Sequence, residues 1–247
     1  MIRLIIEILF LIVFATIGQI FYLIILLIGF FNTKIKDILL LKYVKIVSHI
    51  ILFITGIDLY LDGKQNIKTN ETYLYIANHR SELDTLLAYT IVKAPTGFIA
   101  KKEISKVPIL NSWNKQLHGL FINRGNIREE FKTIINAIET VKKGISIWIF
   151  AEGTRCKNEN PLDMLPFKEG SFEVAKKTGC KIIPVAMYKT DDLFEKHFPK
   201  VKKAKVYVQI GEAIDINELK IEDKKNIGKY TREIILDMLK KLKEMDS

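Results

Sequence analysis

The segment Asn78-His79-Arg80-Ser81-Glu82-Leu83-Asp84 holds the pair of side chains best suited to moving a proton, an imidazole and a carboxylate five positions apart. On one continuous helix the two would point about 140° away from each other. They can meet only if His79 lies in a loop and Asp84 in the first turn of a helix. Asp84 would then accept from one ring nitrogen and fix the tautomer, leaving the other nitrogen to take a proton from an alcohol. A plainer account exists. Ser81-x-x-Asp84 is also a capping box, in which Asp84 only starts a helix and His79 is a polar loop residue.

Three further clusters supply groups for an anionic substrate. Glu152-Gly153-Thr154-Arg155 closes the apolar run ISIWIF. There Gly153 permits a tight turn, Thr154 offers a hydroxyl and Arg155 a planar fork that suits a phosphate. Lys101 follows the run GFIA, and Arg124 ends GLFINR. Phe167-Lys168-Glu169-Gly170 leads into a short helix whose N-terminus favours an anion. Each of these alone has a bland alternative, a solvated cation at a strand end or an ordinary turn. Together they matter if the strands are parallel, because their C-terminal ends then share one rim.

The elements needed to place them are legible in outline. Strands are expected over 72–77, 97–100, 145–150, 181–187 and 204–210, where β-branched and aromatic residues run together. Helices are expected from about Ser81 to Val92, over 128–143, over 171–177 and over 226–245. In the second of these, Phe131, Ile134, Ile135, Ile138 and Val141 share one face, and Gly144 ends it. Strands alternate with helices, so the fold class is α/β, with a mostly parallel central sheet flanked by helices.

An N-terminal membrane helix or helical hairpin precedes that domain. From Ile8 to Phe31 no residue is formally charged and Gln19 is the only strongly polar side chain, a run longer than the roughly 20 residues needed to cross a bilayer core. A cleaved signal peptide fits poorly, because the run is too long and no small-x-small site follows. Residues 29–33 read as a turn or interfacial exit, and Tyr43 to Tyr60 as an interfacial or half-buried helix. The division is 1–62 for the anchoring helices and 63–247 for the α/β domain. Lys34, Lys36, Lys42 and Lys45 place the domain on the cytoplasmic face of the cell membrane, by a spanning or a re-entrant route.

The 247 residues carry a net charge of +10, which serves anionic lipid, nucleic acid or acidic metabolites equally. The lysines are scattered and no aromatic-basic motif appears, so nucleic acid is not an expected partner. Two cysteines, Cys156 and Cys180, make no disulfide framework or metal cluster. His49, His118 and His197 have no motif partner.

In order along the chain, NHRSELD (78–84), KKEISKVP (101–108) with FINR (121–124), FAEGTR (150–155) and IIPVA (182–186) resemble the four blocks of the glycerolipid acyltransferase superfamily, specifically bacterial 1-acylglycerol-3-phosphate acyltransferases. The resemblance covers roughly residues 70–215. It implies that His79 deprotonates the 2-hydroxyl of 1-acylglycerol 3-phosphate (lysophosphatidic acid), with Asp84 orienting it, and that the alkoxide attacks a thioester. It implies that Lys101, Arg124, Glu152, Gly153, Thr154 and Arg155 hold the phosphate and glycerol, and that Pro184 shapes the site. Acyl-CoA or an acyl carrier protein would be co-substrate, membrane lipids the surroundings, and phosphatidic acid the product. No metal, cofactor or acyl-enzyme is implied. Two positions depart from the pattern: Ala151 stands where the family usually has Pro, and Asn111 follows Pro108-Ile109-Leu110 where Gly is common. The second bears on acceptor identity, so another lysophospholipid is an alternative acceptor. A non-enzymatic lipid-binding protein is the more distant alternative. Ile104, Val107, Ile109, Leu110, Trp113, Leu117 and Leu120 are expected either to line an acyl groove or to be plain core.

Overall fold

The computed structural model describes residues 2–246. Two helices come first, α1 (Ile2–Phe31) and α2 (Thr33–Thr55). The break between them is one residue: Asn32 leaves the helical conformation and its side chain accepts from Ile35 N at 3.0 Å, capping α2. Gly56, with φ of 78°, ends α2 in the left-handed conformation that suits glycine. Strand β1 (Ile57–Asp62) follows at once. The helix expected over 43–60 is therefore displaced. It starts ten residues earlier and stops at Thr55, because Gly56 breaks it and IDLYLD alternates half-buried and exposed residues in the period of a strand.

The rest of the chain holds the expected strands and helices and adds α4, β4 and α7 to them: β2 (Tyr73–Ala77), α3 (Asp84–Ile91), β3 (Thr96–Lys101), α4 (Pro108–Gln116), β4 (Leu120–Ile122), α5 (Ile127–Lys142), β5 (Ser146–Phe150), α6 (Glu173–Thr178), β6 (Lys181–Tyr188), β7 (Ala204–Ile210), α7 (Ile221–Lys225) and α8 (Ile227–Asp246). The seven strands form one sheet in the order β1-β7-β6-β2-β5-β3-β4. Neighbours are parallel except β6 and β7. The C-terminal ends of β2, β5, β3 and β4 therefore stand side by side on one rim. Every residue of β2 is buried, as a central strand covered on both faces requires.

Helices cover both faces. One core gathers α2, α3 and Trp113 of α4 over Tyr73, Tyr75 and Trp148. The other gathers α5, α6 and α8 over Leu74, Ile76 and Ile147. In α5 the inward face is rotated from the expected one. Thr133, Ala137 and Val141 are buried, whereas Phe131 and Ile135 are exposed. The Thr133 hydroxyl donates to Phe121 O at 3.0 Å, which turns that side of the helix toward the end of β4.

The helical hairpin does not project from the domain. Near the start of α2, Asp37 Oδ2 lies 2.9 Å from His118 Nε2, and Lys36 Nζ donates to Gln116 Oε1 at 3.1 Å. In its middle, Lys45 Nζ donates to Val92 O at 2.6 Å. Its far end enters the sheet through β1. So α2 is held at both ends and in between. Outside it, Trp113 packs its ring 4.4 Å from Tyr22, 5.3 Å from Tyr43 and 5.6 Å from Phe14. The Trp113 indole N–H reaches Gln19 Oε1 at 3.4 Å, which accounts for the one strongly polar side chain in the run from Ile8 to Phe31. Trp113 and Leu117 are thus core, while Ile104, Val107 and Leu110 are exposed, so the seven residues expected to line one acyl groove do not form one. Both helices are long and apolar enough to cross a membrane, and α1 presents an exposed apolar face from Ile5 to Leu27.

Replacing Trp113 with Ala should destabilise the folded protein by about 3–5 kcal/mol, the usual cost of emptying a buried aromatic site. Denaturant unfolding in detergent checks this. A loss below about 1 kcal/mol, the size of an ordinary surface change, would contradict the wedge role.

Candidate active site

His79 and Asp84 meet. His79 lies in the loop after β2, and Asp84 is the first residue of α3. Asp84 Oδ2 stands 2.8 Å from His79 Nδ1. The same oxygen accepts from Arg80 N at 2.8 Å and Ser81 N at 2.9 Å. With three donors converging on it, Oδ2 is the acceptor, so Nδ1 carries the ring proton and Nε2 is left as the basic nitrogen. Asp84 is fully buried and the His79 side chain is 14% exposed, so the orienting group is shielded and the base is reachable. Ser81 Oγ accepts from Leu83 N at 3.1 Å. The capping account and the proton-transfer account therefore describe one geometry: Asp84 caps the turn and holds the imidazole at once.

The loop around the pair is fixed from three sides. Asn78, fully buried, donates to Met187 O and accepts from Met187 N, both at 2.8 Å, like one more rung between β2 and β6. Arg80, also buried, reaches Asp191 Oδ2 at 3.1 Å and the carbonyls of Asn160 and Asp163 at 3.2 and 3.3 Å. This ion pair is satisfied on several sides, as a buried cation must be. Neither residue was singled out by sequence reasoning. Their positions inside the NHRSELD block are the only signal that could have found them.

Glu152 braces the loop from below. Its Oε1 accepts from His79 N at 2.7 Å and its Oε2 from Leu165 N at 2.6 Å. Burial pushes its carboxyl up to about 7, with the two backbone N–H groups pulling the other way. Phe150, the last residue of β5, stacks on the His79 ring with centroids 4.2 Å apart and planes 18° from parallel. Cys156 N donates to His79 O at 2.8 Å. The FAEGTR segment thus touches the base through backbone and ring contacts.

The cations of the rim differ in how far they are committed. Arg155 pairs with Glu82 Oε1 at 2.9 Å and Glu195 Oε1 at 3.3 Å, which swings it over the His79–Asp84 loop. Burial raises the Glu195 carboxyl, and its contact with Glu82 N opposes that. Arg124 is half-buried just past β4 and makes no direct hydrogen bond or ion pair with a described residue. Burial disfavours its charge, and the nearby carboxylates of Glu103 and Glu130 favour it. Lys101 stands exposed at the end of β3, likewise unpaired among the described residues. Thr154 is exposed, and Gly153 takes φ of 75°, with a Cβ there meeting Lys168 at 2.9 Å. Four adjacent strand ends thus deliver His79, Arg155, Lys101 and Arg124 to one rim.

Known proteins resemble this chain in sequence and fold. Residues 58–188 match the family model described as Acyltransferase. The chain is 30% identical over 192 residues to the 1-acyl-sn-glycerol-3-phosphate acyltransferase of Borreliella burgdorferi, covering 78% of this chain and 76% of that one. It is 31% identical over 174 residues to the enzyme of the same name from Escherichia coli, covering 70% and 68%. Among solved structures, the 1-acyl-sn-glycerophosphate acyltransferase of Thermotoga maritima superposes with a TM-score of 0.81 at 28% identity, over 98% of this chain and 97% of that one.

The raised Glu152 carboxyl has a consequence for stability. The folded protein keeps that proton up to about pH 7, whereas an unfolded chain releases it near 4.5. The stabilisation is therefore present in full below pH 4.5 and lost as pH rises through about 7. Relative to Glu152→Gln, wild-type unfolding free energy should fall by up to about 3 kcal/mol across that interval. A pH series of denaturant unfolding on both proteins checks this, and a flat difference would contradict it.

Proposed function

This chain belongs to the Acyltransferase family, and from that premise we propose that it moves a fatty acyl group from a thioester to the 2-hydroxyl of 1-acylglycerol 3-phosphate, forming phosphatidic acid. The observation that carries the reading is the 2.8 Å contact between His79 Nδ1 and Asp84 Oδ2, with Nε2 turned away from that contact beside a cationic rim.

The chemistry follows from the geometry. A thioester is already activated, so the protein needs a base, positioning and charge stabilisation, with no nucleophilic Ser or Cys. His79 Nε2 takes the hydroxyl proton as the oxygen attacks the carbonyl carbon. The imidazolium that forms is held against Asp84. The tetrahedral intermediate collapses, the thiolate leaves, and the proton on Nε2 passes to it. Acyl-CoA or an acylated acyl carrier protein serves as donor.

Arg124 and Lys101 are the phosphate contacts the rim supports best, because no described carboxylate pairs with them directly. Arg155 shares its fork with Glu82 and Glu195, so a phosphate there would displace or join them. Gly153 and Thr154 shape the turn beneath the substrate, and Glu152 holds the backbone of the base.

The hairpin brings the domain to its lipid substrate. Because α2 is tied along its length to the domain, we read it as an anchor that enters and leaves the same face of the cell membrane. The exposed apolar side of α1 is the part that meets lipid. The cytoplasmic face is the side where acyl thioesters are available.

His79→Ala should lower turnover on the order of 10²–10⁴-fold or more, with the protein still folded and membrane-bound. Purified protein supplied with lysophosphatidic acid and acyl-CoA or acylated acyl carrier protein, assayed for phosphatidic acid, makes the test; retained turnover would refute the base assignment. Arg124→Ala should raise KM for lysophosphatidic acid roughly 10–100-fold, the worth of one charge-assisted phosphate contact. An unchanged KM would remove Arg124 from the phosphate site.

A further inference from the structure

Outside the hairpin, the described residues include ten large hydrophobic side chains that are exposed, and six of them fall between residues 104 and 135. Five of the six border the rim of the candidate active site. Ile104 and Val107 flank the end of the 3-10 turn Lys102–Lys106 after β3, and Leu110 lies in the first turn of α4. Ile127 and Phe131 lie one helical turn apart at the start of α5, where they are 84% and 67% exposed. Side chains of this size that find no core partner mark a contact surface when they cluster.

They form one surface. Lys102 Nζ donates to Glu129 Oε2 at 2.6 Å, clamping the turn that carries Ile104 to the helix that carries Ile127 and Phe131. At the other side, Ser112 Oγ lies 2.6 Å from Tyr22 Oη, which fastens α4 to α1. The apolar edge therefore runs from α4, which is docked on α1, to the first turns of α5. Beyond Phe131 it continues into a groove of about 510 Å³ with Ile134, Ile135 and Ile138 on its wall. The setting is basic. Between residues 101 and 132 seven Lys and Arg side chains stand against three Glu, and one of those three, Glu129, is the partner of Lys102.

We propose that this edge is a second contact with the lipid surface, separate from the hairpin, at which Ile127 and Phe131 insert among the acyl chains of an anionic leaflet while Lys102, Lys106, Arg128 and Lys132 lie among its head groups. The proposal rests on the reading of the chain as a membrane-bound lipid acyltransferase. The hairpin alone fixes the domain near the bilayer and leaves its tilt open. A second contact beside Lys101 and Arg124 would press the rim against the leaflet, so that a lysolipid moves sideways into the site without crossing water. The attachment of this edge through α4 to the lipid-facing helix α1, together with the excess of positive charge, favours a bilayer over a protein partner as the cover.

The test uses the full chain reconstituted into phosphatidylcholine vesicles containing phosphatidylglycerol. In a Cys180→Ser background, with Cys156 buried, an environment-sensitive fluorophore is attached at Phe131→Cys. A control carries it at Lys143→Cys, the residue capping the far end of the same helix about 18 Å away. Lipids bearing a quencher on the acyl chain should quench the label at 131 and leave the label at 143 unaffected. A water-exposed signal at 131, equal to that at 143, would overturn the proposal, as would equal quenching at both positions. The double variant Ile127→Ser, Phe131→Ser should raise KM for vesicle-borne lysophosphatidic acid by at least about tenfold (~1.4 kcal/mol). Its kcat, and its KM for a short-chain, water-soluble acceptor, should be unchanged. An unaltered KM for the vesicle-borne acceptor would also overturn it. The label positions report without turnover, so a protein that transfers no acyl group would count against the reaction and leave this contact separately decided.

Discussion

Asp84 Oδ2 collects three hydrogen bonds, from the imidazole of His79 and from the backbone N–H groups of Arg80 and Ser81. That convergence sets the tautomer of the base, closes the loop after β2 and starts α3. A buried carboxylate is tolerated where several donors meet it. The loop has little freedom to rearrange, because moving His79 away from Asp84 would also open the helix start. Orientation of the base is thus tied to formation of the local fold.

The surroundings act on the same loop from a distance. Asn78 joins it to β6 and Arg80 joins it to Asp191, while Glu152 and Phe150 support the base from β5 and the turn beyond it. The parallel arrangement of β2, β5, β3 and β4 then decides what lies beside the base, since each strand end delivers one polar or cationic group to the same edge. The hairpin decides where that edge stands relative to lipid. Its polar residues Gln19, Lys36, Asp37 and Lys45 are used to dock it on the domain, which leaves an almost wholly apolar side on α1.

The pattern of elements is legible in the sequence where hydrophobic period and punctuation agree. The run from Tyr73 to Ala77, the left-handed glycine at Gly144 and the amphipathic α8 stand where residue type alone puts them. So does the meeting of His79 with Asp84, because the loop-to-helix passage was the only way those positions could touch. Long-range partners are not legible. Met187 and Asp191 lie more than a hundred residues from Asn78 and Arg80, and no local rule couples them. The short strand β4 carries too few residues to show a period, and β1 reads as the tail of an apolar helix until Gly56 is seen to break it. In α5 the apolar spacing marks a helix correctly but misplaces its inward side, since Phe131 and Ile135 face outward while Thr133 faces in. Apolar residues on that outer side share the face that spacing picks out, and the structure leaves them uncovered.

The protonation pattern of the His79 ring tests the central claim most directly. Nitrogen-15 NMR of histidine-labelled protein at a pH where the ring is neutral, with His79→Gln used to assign the signal, reads which nitrogen carries the proton. A ring held by Asp84 shows a protonated Nδ1 and a bare Nε2, ready to accept from an alcohol. A ring protonated at Nε2 would mean that Asp84 does not orient the base, and the mechanism built on that contact would not stand.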